Sequence, residues 1–122
     1  ILSFRFMGIR SPDELNQEVD RLVAQPETGG GLLWTRTDVR DAARACRLAV
    51  EASSPASGPY NITGARVLLD VDAGELVHKY CDGVEDRGNL VGCESPMSCE
   101  RAKQAFGYEA EYAWSVSERH YR

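Results

Sequence analysis

Apolar residues dominate the opening of the chain, where Ile1–Phe6 contains two aliphatic and two aromatic side chains. Such a run is typical of a buried strand. The backbone groups of a buried strand need neighbours on both sides to satisfy their hydrogen bonds. The pattern therefore predicts a strand inside a larger sheet, and we expect further sequence before Ile1 in the whole protein.

After this strand, the sequence predicts four helices. Ser11 as N-cap, Pro12 at the first helical position and Glu14 three residues after the cap predict a helix that ends near Gln25. Similar caps predict three further helices, which begin after Asp38, Asp72 and Ser98. The fourth of these helices ends at Gly107, which suits a left-handed helix end.

The second helix has an apolar stripe of unusually small residues, namely Val39, Ala42, Ala43, Cys46, Ala49 and Val50. Small side chains allow a helix to lie close to its neighbour, and we expect that neighbour to be a sheet. Asp38 and Asp41 resemble a catalytic pair of carboxylates, but capping and the dipole of an exposed helix N-terminus explain both.

Short extended segments separate the helices. Residues 32–34 and 60–63 are predicted strands, residues 65–69 either extend the second of these or form a loop, and Leu90-Val91 is a candidate edge strand. The glycines at 29–31 predict a flexible loop, and their position between a helix and a strand is wrong for phosphate binding. Alternating strands and helices indicate α/β organisation, although strands this short make a poor sheet alone.

Composition narrows the class of protein. The chain has 122 residues, 43% hydrophobic and 27% charged, which is typical of one globular domain. A net charge of -5 with a pI near 5.0 argues against nucleic acid and anionic membranes as partners. The sequence contains neither a membrane-spanning apolar run nor a secretory signal, so we expect a cytoplasmic protein.

The cysteines and histidines do not form a recognisable site. The four cysteines are few and irregularly spaced, which predicts small buried side chains for most of them rather than a disulfide scaffold. No two of them have the close spacing that is typical of a structural zinc site. His78 has no nucleophile and orienting partner near it in sequence, and His120 is expected to be solvated. No metal-binding residues are predicted.

Four segments, taken in order, resemble a known family; they are residues 3–12, 33–45, 58–63 and 100–109. The first is similar to a late Rossmann strand and its following turn, and the second to a His/Tyr-Val-Asp-Asp-Val-Ala segment. The third is similar to a Tyr-Asn-Ile-Gly strand and the fourth to a terminal Lys-Ala-Lys-x-x-Leu-Gly-Trp motif. Together they resemble the C-terminal part of the extended short-chain dehydrogenase/reductase family, the NAD-dependent epimerases and dehydratases.

The resemblance implies an α/β fold made of the late sheet strands of an NAD(P)-binding Rossmann-like enzyme plus a small substrate-side subdomain. Residues 1–122 would be a single unit, with the N-terminal Rossmann half absent. The chain has no Gly-rich strand-turn-helix and no Tyr with Lys four residues later. No catalytic residue is therefore assigned, and the chain is not expected to be a complete enzyme. NAD or NADP would be bound by the complete enzyme and not tightly by this chain alone.

The resemblance also implies a set of site residues. Those that would flank the nicotinamide end of the cofactor are Phe6, Met7, Gly8 and Ile9. Those that would contact the substrate are Arg10, Arg36 and Asp38, the two arginines through an anionic group such as a phosphate or sugar carboxylate. The structural alternatives are an ordinary buried strand end for the first set and solvated surface arginines in the second.

The implied partner is a sugar or nucleotide-sugar substrate, and the family implies a homodimer. Two other classes stay open. The first is a stand-alone, non-catalytic module of the same fold that binds a small molecule or another protein. The second and more distant is a regulator stabilised by a metal on its cysteines. The sequence upstream of Ile1 would distinguish the stand-alone module from part of an enzyme. A metal assay on the purified protein would test the metal-stabilised regulator.

Overall fold

Strands β1 (Leu2–Phe6) and β4 (Gly58–Ile62) form a parallel pair in register from Leu2 opposite Gly58 to Phe6 opposite Ile62. The computed structural model describes residues 1–119, so the expectation for His120 lies outside the described residues. The second neighbour expected for β1 belongs to the larger sheet and stays a prediction. Within residues 1–119, β1 pairs with β4 alone, and its side chains alternate between exposed and half-buried.

A second parallel pair lies beyond the first. Strand β2 (Ile9–Arg10) pairs with β3 (Thr37–Asp38), two residues each. The chain turns from β1 into β2 at Gly8, whose φ of +56° favours glycine. The described chain is thus a mixed α/β domain with short parallel strands, which confirms the coarse class predicted from the sequence.

Helix α1 (Pro12–Ala24) begins as predicted. The Ser11 hydroxyl accepts a hydrogen bond from the Glu14 backbone N–H, and the Glu14 carboxylate accepts one from the Ser11 N–H, which completes a capping box. The helix buries three apolar side chains at helical spacing, those of Leu15, Val19 and Leu22.

The segment after α1 differs from the prediction of a flexible loop and a strand. Residues Pro26–Leu32 form a 3-10 helix, and Leu33 and Trp34 both have positive φ. Trp34 explains the difference, because its fully buried indole N–H donates to the Pro26 carbonyl and its ring packs against Gly29. A side chain at Gly29 would occupy the space of that ring, so the glycines serve packing.

Helix α2 (Val39–Glu51) begins after its predicted cap, Asp38, which accepts a hydrogen bond from the Arg40 N–H. The predicted buried face is largely wrong. Val39, Ala43, Cys46 and Val50 are exposed, whereas the buried residues are Asp41, Ala42 and Ala45. The buried face is centred on an aspartate because residues distant in sequence satisfy its carboxylate.

The remaining helices are α3 (Ala73–Tyr80) and α4 (Glu100–Phe106), and Gly107 ends α4 in the predicted left-handed conformation. Residues 65–69 form a connection rather than a longer strand, and Leu90-Val91 forms no strand. None of the helices formed by residues 1–119 is long and apolar enough to cross a membrane.

Two apolar clusters hold the elements together. One joins α1, α3 and the 67–69 segment around the buried Trp34 and Trp114, the latter as predicted. The other packs Tyr60 and Ile62 of β4 against residues of α4. The four cysteines are unpaired, and the expectation of burial is wrong for Cys46, which is exposed, whereas the other three are partly buried.

Candidate functional site

The carboxyl ends of β1 and β4 meet at Thr37. The Thr37 hydroxyl lies 3.0 Å from the Ile62 carbonyl oxygen and 3.3 Å from that of Met7, and it donates to them. The Arg36 carbonyl accepts from the Gly64 N–H at 3.0 Å. Three chain segments far apart in sequence therefore converge where the parallel strands end, the usual location of ligands in parallel α/β sheets.

The turn predicted to meet the cofactor, Phe6–Ile9, lies at this junction. Met7 is buried, Phe6 and Gly8 are half-buried, and Ile9 is 39% exposed. A Cβ atom on Gly8 would lie 2.8 Å from Cδ of Arg36, so the glycine lets the arginine stem pass directly against the turn. The structure thus brings the predicted cofactor turn and the predicted substrate arginine into contact.

Both predicted substrate arginines reach the same carboxylate, that of Glu18 on α1. Arg10 Nε lies 3.4 Å from Glu18 Oε1 and Arg36 Nη2 lies 3.3 Å from Glu18 Oε2, while Arg21 binds Glu18 as well. We call these four residues the arginine cluster. The alternative that these arginines are solvated surface residues is wrong for Arg36, which is only 5% exposed.

The arginine cluster has more positive than negative charge, with three guanidinium groups against Glu18 and the nearby Glu14. Burial raises the pKa of Glu18, but the Arg21 hydrogen bond and the surrounding guanidinium charges outweigh it and hold that pKa below its ordinary value. A surface cleft of about 250 Å³ opens over Arg10, Glu18 and Arg21.

Arg36 is only partly satisfied by the protein. Its Nη1 donates to the Thr35 carbonyl and its Nη2 to Glu18, but its buried Nε has no hydrogen-bond partner within residues 1–119. Desolvation lowers the pKa of Arg36, although the attraction of Glu18 counteracts it. Arg36 therefore keeps an unused hydrogen-bond donor at the junction.

Asp38, the third predicted substrate residue, is fully engaged by the protein. Its Oδ1 accepts from the Arg40 N–H at 2.8 Å and from Arg40 Nε at 2.9 Å, and its Oδ2 accepts from Arg40 Nη2 and from Trp114 Nε1. Burial raises the pKa of Asp38, but these hydrogen bonds outweigh it and lower that pKa overall. Asp38 caps α2 as predicted and also anchors the C-terminal segment.

The explanation of Asp41 by an exposed helix terminus is wrong, because Asp41 is fully buried. Its two carboxylate oxygens accept from the backbone N–H groups of Glu111 and Tyr112, at 3.0 and 3.1 Å. Desolvation raises the pKa of Asp41 despite these hydrogen bonds. The sequence offered no signal for this role, since the partners lie 70 residues away.

Sequence reasoning also missed Glu18, Arg21 and Thr37. The first two belong to the ordinary polar face of an amphipathic helix, and nothing local distinguishes them from solvated charges. Within the described part of the chain, no group of three or more His, Cys, Asp and Glu side chains is placed to hold a metal ion. His78 instead lies 3.0 Å from Asp86 on the surface.

No family model, no curated protein and no solved structure matches this chain. The family resemblance therefore stays a prediction from the sequence.

Proposed function

We propose that this chain is the substrate-binding C-terminal part of an NAD-dependent sugar or nucleotide-sugar epimerase, dehydratase or dehydrogenase. In this proposal the chain forms the late strands of a Rossmann-like sheet and the substrate-side subdomain, within a cytoplasmic and homodimeric enzyme. The catalytic acid/base and most cofactor contacts belong to the rest of that enzyme. The proposal rests on the four sequence segments and on one structural observation.

That observation is the convergence of the predicted cofactor turn with the predicted substrate arginines. Ile9 pairs with Thr37 and Arg10 with Asp38 at the carboxyl ends of the parallel strands. Three arginines surround the Glu18 carboxylate beside this glycine turn. A guanidinium cluster of net positive charge suits a phosphate or a sugar carboxylate.

The turn fits the nicotinamide end of NAD(P) in part. Ile9 is 39% exposed, whereas the space beside Gly8 is filled by the Arg36 stem rather than left for a ring. NAD(P) would supply the hydride acceptor or donor of the reaction. Within this chain, the turn limits access of solvent to the junction. Arg10 and Arg36 hold the anionic group of the substrate. Asp38 caps α2 next to them.

A titration with UDP-glucose, followed by amide chemical shifts, tests the substrate-binding part of the proposal. We expect shifts at residues 7–10 and 36–38. Arg10→Gln should weaken binding about fivefold to tenfold, because one charge-assisted hydrogen bond is lost. Arg5→Gln is the matched control, since Arg5 has the same charge but is an exposed residue of β1. Equal effects of the two variants would contradict a specific site.

A second assay separates the enzyme from the non-catalytic module. Absorbance of reduced nicotinamide is followed with the entire gene product, NAD or NADP, and nucleotide sugars. Turnover that falls in the Arg10→Gln variant supports the proposal. Binding of UDP-glucose at residues 7–10 and 36–38 without any hydride transfer would instead favour the stand-alone module.

A further inference from the structure

A second and larger cleft, of about 640 Å³, lies between the end of β4 and helix α4. We call it the α4 cleft. Thr63 and Gly64, which follow β4, form part of its lining, and residues 94–98 and Glu100 line it as well. Its volume is that of a small-molecule site. The residues of the arginine cluster do not line it, so it is separate from the proposed substrate site.

Thr63, which lines this cleft, has a buried hydroxyl that no group of the described chain satisfies. The residue is only 1% exposed, and its Oγ1 has no hydrogen-bond partner within the described chain. Its carbonyl is already occupied, since it accepts from the Tyr108 hydroxyl at 3.0 Å and from the Cys99 thiol at 3.9 Å. Buried hydroxyls are nearly always paired, so this one has a free hydrogen-bonding capacity beside the cleft.

The charges around the α4 cleft have the opposite sign from those of the arginine cluster. Its lining carries the carboxylates of Glu94, Glu100 and Glu109, against the single ammonium of Lys103. Lys103 lies 2.8 Å from Glu109, which leaves two carboxylates in excess. This balance repels phosphates and sugar acids and favours neutral or cationic groups.

Covalent chemistry is not favoured at this site. Burial raises the pKa of the Cys99 thiol, so the sulfur is held as a weakly nucleophilic neutral group. Burial likewise raises the pKa of the Tyr108 phenol, which stays a proton donor to the Thr63 carbonyl. The lining is therefore suited to binding through hydrogen bonds and charge.

We propose that the α4 cleft binds a small polyhydroxylated ligand that is uncharged or carries a protonated amine, with the Thr63 hydroxyl and the Glu94 carboxylate as its specific contacts. The site excludes anionic ligands of the same size. It is thus a second site on the chain, and its existence does not depend on the proposed enzyme function.

Three hexose probes of nearly equal size test this proposal. Glucosamine, glucose and glucuronate are titrated separately into the chain, and amide shifts are followed at residues 63–65 and 94–99. We expect binding in the order glucosamine, then glucose, with no shifts from glucuronate. Stronger binding of glucuronate than of glucosamine at these residues, or no shifts from any probe, would overturn the proposal.

Two substitutions locate the contacts. Thr63→Val should weaken glucosamine and glucose alike, about threefold to tenfold, because one hydrogen bond is lost. Thr63→Ser, which keeps the hydroxyl, should bind as the parent chain does and guards against a folding defect. Glu94→Gln should weaken the binding of glucosamine but not that of glucose. Glu75→Gln, which changes an exposed carboxylate of α3, should alter the binding of neither sugar. Unchanged binding in Thr63→Val would refute the assignment.

The proposals for the two sites can be refuted separately. UDP-glucose carries the anionic group that the arginine cluster requires, and the α4 cleft repels it. Loss of UDP-glucose binding in Arg10→Gln with glucosamine binding intact supports both assignments. Displacement of glucosamine by UDP-glucose would show that the α4 cleft is not a separate site.

Discussion

Replacing Glu18 by glutamine removes the carboxylate on which Arg10, Arg21 and Arg36 converge. Removing one partner of a buried ion pair costs about 3–5 kcal/mol. The Glu18 side chain is 14% exposed and that of Arg36 3%, while the other two arginines reach solvent. Only the pair with Arg36 is therefore buried, and we expect Glu18→Gln to lower the free energy of unfolding by about 2–3 kcal/mol.

The same substitution should strengthen binding of UDP-glucose, because the guanidinium groups lose the carboxylate that competes with the ligand. Stability and binding would then change in opposite directions. Chemical unfolding measures the first and the amide titration the second. Glu27→Gln, an exposed residue of the 3-10 helix, is the control and should alter neither. A Glu18→Gln chain that is as stable as the parent, or that binds the ligand less tightly, would refute the reasoning.

The stability effect of Glu18 also has a defined dependence on pH. The folded pKa of Glu18 is lower than in the unfolded chain, so the unfolded state binds protons first as the pH falls. Its contribution is fully present above the unfolded pKa and is lost as the pH falls through the folded pKa. The difference between the parent and Glu18→Gln should thus be full at neutral pH and shrink in strong acid.

Further substitutions test the junction and its glycine turn. Thr37→Val should lower the free energy of unfolding by about 1–2 kcal/mol, because the hydroxyl that donates to the Ile62 carbonyl is lost. Thr63→Val should leave that free energy unchanged or raise it by up to about 1 kcal/mol, because the Thr63 hydroxyl has no hydrogen-bond partner in the described chain. Chemical unfolding of both variants checks this, and equal losses would contradict it. Gly8→Ala should cost about 2–3 kcal/mol, because φ is positive there and the new Cβ meets the Arg36 stem. Thermal unfolding measures this cost, and a stable Gly8→Ala chain would contradict the described packing.

Local signals predicted the helices well because helix caps are short-range interactions. The capping box at Ser11 and the cap at Asp38 involve residues at most three positions apart, so the sequence contains all the information they need. The parallel pairing of β1 and β4 was not visible in the same way, since 56 positions separate the paired residues. The mixed α/β class followed from the alternation of elements alone.

Only some members of the candidate site were predictable, and its geometry was not. The family resemblance pointed to Arg10 and Arg36, but nothing local showed that both reach Glu18. The buried face of α2 was misassigned for the same reason. Apolar periodicity assumes that charged residues face solvent, and Asp41 faces inward because backbone groups of a distant segment satisfy it.

The contacts of Asp41 have a consequence for the order in which the chain acquires its structure. A ribosome releases α2 well before it has made Glu111 and Tyr112, the residues whose N–H groups satisfy that carboxylate. Until then, docking α2 in its final place would bury the polar Asp41 side chain without donors. The segment that contains Glu111 and Tyr112 therefore acts as a latch, and α2 can dock in its final place only once that segment has been synthesised.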